Sequence, residues 1–303
     1  MKAVILTEAG RNFGFGHLSR CDALRDYLAE GGFEVEIYNR GDFCAPNAIN
    51  YDWMRDMSVA KGAPLLVIDS YYAPYALYKS RNICVAIDDF SRIKYPKETI
   101  ILNPALNAKR LYVDAENALF AGVEYGLLRR EFRVREPKKI NKDITKVLIT
   151  LGGNDRQNNT QKVLDAVQKE LSYAQINVVL PKYHEPLECG FETRIHTDLS
   201  ARTLKDLMIE SDLIICGGGV TSIEAQSTRT PSIALEIAPN QSYQLRQWQK
   251  VGLRIAKNPY AMKSLIKSLV KFKDRNKVYN LLNKITIGAE LPRFVEFVKE
   301  KVG

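Results

Sequence analysis

Gly14-Phe15-Gly16-His17 follows the first apolar run of the chain, where a strand-like segment gives way to a helical one. Glycines in such a turn let the backbone approach a ligand closely. The free N–H groups of a helix starting near Gly16 point at any phosphate bound at that helix end. His17 stands at the same mouth. The positive end of the helix disfavours a second positive charge there, so the imidazole is expected to be neutral near pH 7, as a general base must be. A histidine capping a helix start for structural reasons fits the same spacing. The other two histidines, His184 and His196, sit in loop-like contexts with no comparable neighbours. The turn is not the dinucleotide fingerprint, which requires glycine where Ser19 stands. A nicotinamide cofactor is therefore not expected, and no other cofactor is called for.

A second glycine-rich turn, Gly217-Gly218-Gly219-Val220-Thr221-Ser222, follows the apolar run Leu213 to Cys216. Main-chain N–H groups at Gly218 and Gly219 with the hydroxyls of Thr221 and Ser222 would build an anion cradle at a helix start. Glu224, one turn further, is placed to accept hydrogen bonds from ribose hydroxyls. The plain alternative is a tight turn with Thr221 or Ser222 as helix cap. There is no P-loop lysine, which argues against nucleotide hydrolysis of that kind. Gly152-Gly153-Asn154-Asp155 ends another apolar run, and Gly153 is a further candidate for nucleotide binding. Acids and amides at strand ends complete the set: Asp69-Ser70-Tyr71, Asp88-Asp89 with Arg92, Asn103 with Asn107, and Asn240-Gln241 after Pro239. Each also reads as a cap. Adjacent residues of a strand face opposite ways, so Asp88-Asp89 is a poor metal site, and no metal is expected.

The elements that must position these residues alternate between strand-like and helical patterns, the mark of parallel sheets covered by helices. Strands are predicted over Lys2 to Thr7, Glu34 to Asn39, Pro64 to Asp69, Ile83 to Asp88 and Thr99 to Leu102, with helices between them. The first helix, Gly16 to Gly31, carries Leu18, Cys21, Leu24 and Leu28 on one face and stops at Gly31-Gly32. The charged stretch Arg129 to Lys146, broken by Pro137, reads as a linker, after which the alternation restarts. With 303 residues, about two domains are expected. They are assigned to 1–137, carrying the histidine loop, and 145–303, carrying the nucleotide site and the last helices. The predicted class is α/β, with two Rossmann-like domains facing each other across a central cleft and ligands at the carboxyl ends of the strands.

Composition excludes several classes. With 46% hydrophobic and 26% charged residues, the chain is an ordinary globular one. Its apolar runs of four to six residues fall far short of the roughly 20 that a bilayer requires, so no membrane insertion is expected. The start of the chain has no apolar segment of signal-peptide length, and a cytoplasmic location is expected. The 5 cysteines have no CxxC spacing, so neither disulfides nor zinc are expected. The net charge of +9 is spread over helical faces without an RNA- or DNA-binding pattern, which favours a small anionic ligand over nucleic acid.

Taken in order, GFGHLSRC at 14 to 21, IDSYY at 68 to 72, DDFSR at 88 to 92, LNPALNAK at 102 to 109, GVEYGLLRREF at 122 to 132, ITLGGND at 149 to 155, GGGVTSIEA at 217 to 225 and Asn240-Gln241 resemble one family. It is the UDP-2,4-diacetamido-2,4,6-trideoxy-β-L-altropyranose hydrolases of pseudaminic acid biosynthesis, with their relatives in surface-polysaccharide biosynthesis. The resemblance runs over about the first 255 residues. It implies a glycosyltransferase-B-type fold and hydrolysis of a UDP-sugar to free sugar and UDP. It also implies that His17 is the catalytic residue, that Tyr71 lines the site and that Glu224 grips the ribose. The family commonly opens with Arg-x-Asp after the first strand, whereas this chain has Leu6-Thr7-Glu8 there, so the resemblance bears on the nucleotide more closely than on the sugar.

On this reading Gly14, Gly16, Gly218, Gly219, Thr221 and Ser222 cradle the diphosphate and His17 activates or positions water. Glu8, Arg20, Asp69, Tyr71, Asn240 and Gln241 hold the sugar. Neutralising the leaving diphosphate and positioning the water are the main catalytic requirements. Two other classes share these features: a glycosyltransferase, in which an acceptor hydroxyl replaces water, and a protein that binds a nucleotide sugar without turning it over.

Overall fold

A computed structural model describes residues 1–10, 13–79, 82–152, 158–181, 184–190 and 192–303. Strands buried on both faces read as continuous apolar runs, and the first sheet is built from these. Its strands are β1 (Lys2–Glu8), β2 (Glu34–Arg40), β3 (Ile49–Asn50), β4 (Leu65–Ile68), β5 (Ile83–Ile87), β6 (Ile100–Asn103) and β7 (Leu119–Ala121). All pairings among them are parallel, in the order β3-β2-β1-β4-β5-β6-β7. The strand order reverses between β1 and β4, whose register sets Leu6 opposite Ile68. Among the described residues, only the first crossover is a regular α-helix, α1 (Gly16–Glu30). The later ones carry 3₁₀ turns at Ser58–Ala60, Tyr75–Tyr78 and Ala108–Leu111 or are open loops. Pro74, Pro96 and Pro104 lie in these short connections, where a missing N–H and a fixed φ oppose helix formation.

The segment expected to be a linker is packed. It opens with α2 (Arg130–Arg133), and its main chain is held by buried cations. Lys205 Nζ donates to Val134 O at 2.9 Å and Arg275 Nη2 donates to the carbonyls of Asn141 and Lys142 at 2.8 and 2.9 Å, while Lys138, within the stretch, donates its own Nζ to Ile209 O at 2.6 Å. Those bonds tie residues 134–142 to the second unit, which comprises Glu131–Ile285. Its sheet contains β8 (Lys146–Thr150), β9 (Gln175–Leu180), β10 (Thr193–Thr197), β11 (Leu213–Gly217), β12 (Ser232–Leu235) and β13 (Arg254–Ala256). The strands are parallel, in the order β10-β9-β8-β11-β12-β13, with the reversal between β8 and β11. Its helices are α3 (Asn159–Glu170), α4 (Ala201–Glu210), α5 (Val220–Ser227), α6 (Ser242–Gln249), α7 (Met262–Val270) and α8 (Phe272–Leu282).

The last helix, α9 (Leu291–Val302), belongs to the first unit, which comprises Met1–Arg130 and Thr286–Gly303. This corrects the expected division at 1–137 and 145–303. The physical reason lies in the first sheet's scarcity of crossover helices, which leaves Phe120 and Tyr125 in need of cover. Leu291, Phe294, Val295 and Val298, spaced as one helical face, are buried in that core, and the rings of Phe120 and Phe294 meet edge to face at 5.2 Å. Gly31 permits the approach: a Cβ there would lie 2.3 Å from Val295 Cγ1. Among the described residues, no helix is long and apolar enough to cross a membrane.

Phe294 is fully buried. Phe294→Ala is expected to cost about 3–5 kcal/mol of unfolding free energy. Chemical denaturation checks this, with loss confined to the transition that reports the first unit.

Candidate active site

The turn after β1 and the turn after β4 meet at the carboxyl end of the first sheet, at its reversal point, where open α/β sheets hold their ligands. Asp69 is the residue after β4, and its N–H donates to Leu6 O at 2.9 Å, so the β1–β4 register fixes its position. The side chain is fully buried. His17 and Arg20, three residues apart on α1, share a helix face and converge on it. His17 Nδ1 lies 2.6 Å from Asp69 Oδ1, Arg20 Nη2 lies 2.5 Å from the same oxygen, and Arg20 Nε lies 2.6 Å from Oδ2. The Cys21 thiol adds a weak contact to Oδ2 at 3.4 Å. Arg20 also reaches outward, with Nη1 2.6 Å from Asp89 Oδ1, and Asp89 Oδ2 accepts a hydrogen bond from the Tyr71 hydroxyl. The Tyr71 ring stands edge-on to the imidazole at 4.4 Å.

Burial pushes the Asp69 carboxyl up, but the Arg20 charge and then His17 more than reverse this and hold it well below the usual carboxylate range. An ionised Asp69 can only accept, so Nδ1 of His17 carries the hydrogen. In the neutral ring the lone pair is then on Nε2, the tautomer that a water-activating base requires. His17 retains 8% exposure while Asp69 has none, so the imidazole stands between the carboxylate and the outside.

Asp88 and Asp89 point apart, as adjacent strand-end residues should. Asp88 accepts from the Tyr112 hydroxyl at 2.7 Å and from the N–H groups of Phe90 and Arg92, and Asn103 donates to Tyr112 at 2.9 Å. Asp88 and Asn103 are structural. Glu8, expected to hold the sugar, is 1% exposed and occupied by the Ser70 hydroxyl at 2.8 Å and Arg40 Nη1 at 2.7 Å. Burial outweighs both partners and raises its pKa. Its carboxylate therefore braces the turn after β4, whose Tyr72 and Ala73 N–H groups also bond to Ser70 Oγ. Asp69 and Arg20, likewise expected to touch sugar, are buried beside Nδ1 of the imidazole.

The turns that carry His17 and Tyr71 also hold an aromatic rim, which had no clear sequence signal. Phe90 packs on Tyr71 at 5.5 Å, Phe13 meets Tyr72 at 5.7 Å, and Phe15 meets Phe43 at 4.7 Å. Tyr72 is 63% exposed, and Phe90 and Phe43 are also exposed. Gly14, at φ +75°, sits in this turn and closes it through N–H donation to Gly10 O at 2.8 Å. Gly16 opens α1, which has no acidic residue in its first turn.

In the second unit, the triple glycine links β11 to α5 at the reversal point of that sheet. A Cβ on Gly217 would lie 2.3 Å from Leu151 O, and one on Gly218 would lie 2.7 Å from Leu245 Cδ1 and 2.8 Å from Gln241 Oε1. Packing against main chain thus demands glycine at Gly217, while at Gly218 a Cβ would displace the ends of two side chains. Gln241 folds over the turn. Its Oε1 accepts from the N–H groups of Ile237 and Ala238 at 2.9 and 3.3 Å, which turns Nε2 toward Gly219, the residue that caps α5. Gly219 and Thr221 are partly exposed and Asn240 is exposed. Ser222 is fully buried and its hydroxyl donates inward to Gly219 O at 2.7 Å, while Glu224 is 2% exposed, below the surface of the turn. Gly153, with Asn154 and Asp155, lies outside the described residues. Among the described residues, no three His, Cys, Asp or Glu side chains group as a metal would need.

No known family model matches this chain. The chain is 28% identical over 261 residues to the pseudaminic acid cytidylyltransferase and UDP-2,4-diacetamido-2,4,6-trideoxy-β-L-altropyranose hydrolase of Helicobacter pylori, across 84% of this chain and 48% of that protein. It therefore spans about half the length of that relative. It is 25% identical over 269 residues to the spore coat polysaccharide biosynthesis protein SpsG of Bacillus subtilis, across 80% of this chain and 79% of that one. Among solved structures, spinosyn rhamnosyltransferase SpnG complexed with thymidine diphosphate superposes with a TM-score of 0.66 at 15% identity, covering 97% of this chain and 100% of that one. At such identity the likeness concerns fold alone, and the fold is of the glycosyltransferase-B type.

The depressed pKa of Asp69 carries a sign for stability. A carboxyl that ionises more readily folded than unfolded stabilises above its unfolded pKa of about 4, and this contribution is lost as pH falls below that value. Glu8, raised rather than lowered, works in the opposite sense, so variant and parent must be compared at each pH. Asp69→Asn is expected to cost about 3–5 kcal/mol at pH 7 by leaving Arg20 buried with one partner fewer, and less below about pH 3. Urea titrations from about pH 2.5 to pH 7 measure the difference.

Proposed function

We propose that this chain hydrolyses a UDP-linked acetamido deoxy sugar, with UDP-2,4-diacetamido-2,4,6-trideoxy-β-L-altropyranose as the leading candidate, to free sugar and UDP. The observation that carries the reading is the His17–Asp69 pair at the reversal point of the first sheet. With Nδ1 committed to Asp69, Nε2 is the ring nitrogen left to accept a proton, on a side chain that keeps 8% exposure. The likeness to the Helicobacter pylori protein, whose name includes this hydrolase, supports the choice of substrate.

In the proposed reaction a water oxygen attacks the anomeric carbon, and the bond from that carbon to the β-phosphate oxygen breaks. The electron pair leaves with UDP, and the water proton passes to His17 Nε2. Asp69 stabilises the imidazolium that forms, while Tyr71 holds the ring edge-on. The diphosphate is held by the N–H groups at the start of α5, by the Thr221 hydroxyl and by Gln241 Nε2, which together favour negative charge without a metal ligand set. Asn240 reads polar groups of the sugar. The aromatic rim suits a sugar carrying a C6 methyl and acetyl methyls, because ring faces pack on C–H groups without asking for hydroxyl partners.

Full-length protein incubated with the UDP-sugar and no acceptor is expected to release UDP and free sugar in equal amounts. Stable UDP-sugar that breaks down only when an acceptor is supplied would instead identify a transferase. UDP binding without turnover at high protein concentration would identify a binding protein. His17→Ala is expected to lower turnover by about 100- to 10,000-fold, the usual worth of a general base, while UDP affinity by calorimetry stays within about twofold. Tyr72→Ala is expected to raise KM about 2- to 10-fold with kcat little changed, in keeping with one lost ring contact.

A further inference from the structure

An arginine next to a candidate base invites a role as substrate clamp, yet the Arg20 guanidinium is spent on two carboxylates. Nη2 of Arg20 and Nδ1 of His17 reach the same oxygen, Asp69 Oδ1, at 2.5 and 2.6 Å, and the two nitrogens stand 3.2 Å apart. Both act as donors toward that oxygen. The guanidinium is always charged, so protonating the imidazole brings a second cation into contact with it and divides the attraction of Asp69 between two claimants. On the other side, Arg20 Nη1 is held 2.6 Å from Asp89, whose remaining oxygen holds the Tyr71 hydroxyl, and Tyr71 is the ring that packs against His17.

We infer that Arg20 is a positioning residue that acts through Asp69. It shares the carboxylate with His17 so that the imidazole stays oriented but is not driven to its protonated form, and Asp89 sets how strongly Arg20 does so. The use of this arrangement in water activation rests on the hydrolase reading; the arrangement itself does not. Among the described residues, the charged or titratable groups facing His17 are Asp69 and Tyr71 from the turn after β4, Arg20 and Cys21 from α1, and Glu8 from the end of β1. Asp89, in the turn after β5, acts on the ring through Arg20 and Tyr71. In this group Arg20 is the cation, and the three carboxylates all pull toward an imidazolium.

The consequence has a sign for each substitution. Removing the cation frees Asp69 for the imidazole, so Arg20→Met should move the His17 titration to higher pH by about one unit or more, the usual effect of an opposite charge at this range. Removing the outer carboxylate takes away negative charge and leaves Arg20 wholly to Asp69, so Asp89→Asn should move it to lower pH. Arg20→Lys keeps the charge but not the two-sided fork, and should fall between parent and Arg20→Met.

The experiment is an NMR titration of the imidazole ¹³Cε1–H signals in the full-length, substrate-free protein. His17 is assigned by its absence in His17→Ala, and His184 and His196 serve as internal references. Opposite shifts for Arg20→Met and Asp89→Asn, with the reference signals unmoved, are expected. No shift in either variant, or shifts in the same direction, would overturn the inference. If Arg20→Met does not fold, Asp89→Asn and Arg20→Lys decide the matter by their own signs. The titration does not need turnover: opposite shifts in a protein that releases no sugar would retain this inference and reject the hydrolase reading. Turnover with unmoved titrations would do the reverse. If both hold, the acid limb of the kcat profile should follow the NMR midpoint in each variant, which a merely structural role for Arg20 would not produce.

Discussion

A carboxylate with no solvent exposure, Asp69, sets the terms for the first unit. An isolated buried charge is costly, and it persists only where donors surround it. Here the donors come from one face of α1, and the backbone position is fixed by the parallel register of β1 and β4. The same constraint explains why Arg20 is buried and why Asp89 is needed: one guanidinium between two carboxylates satisfies hydrogen-bonding groups that water cannot reach. An imidazole with a defined tautomer is therefore a product of satisfying that buried charge.

The second unit solves a different problem. Its glycine turn is required by packing at Gly217, where the carbonyl of Leu151 occupies the space of a Cβ, and the ends of Leu245 and Gln241 crowd Gly218. Beside it, Gly219 is partly exposed and the Gln241 amide lies close. Steric necessity does not exclude the proposed anion site at the same motif. The inward turn of Ser222 follows from it as well, because its hydroxyl satisfies the Gly219 carbonyl at the helix start.

Closure of each sheet draws on residues distant in the chain. Short proline-bearing crossovers leave the first sheet under-covered, and α9 supplies the missing layer. Buried Lys138, Lys205 and Arg275 draw the stretch after Arg130 onto the second unit because their charges need carbonyl partners. The charge of that stretch looks like a linker when read locally. Its cations and carbonyls are in fact the cement, and only the identity of their partners reveals it.

Periodicity and glycine placement were enough to specify two α/β units, most strand positions and the helix from Gly16, since these depend on local patterns of burial and on backbone freedom. Local spacing also singled out His17 and the acid after β4, whereas Arg20 was expected only to hold the sugar. What remained hidden was which of these groups meet. His17 and Asp69 are brought together across 52 residues by strand register, and Asp89 joins them across 69 through Arg20. The burial of Glu8, Ser222 and Glu224, the aromatic rim and the return of α9 to the first unit belong to the same category. Each depends on what lies on the other side of a packed surface, and a one-dimensional pattern carries the tendency of a residue to be buried but not the partner that buries it.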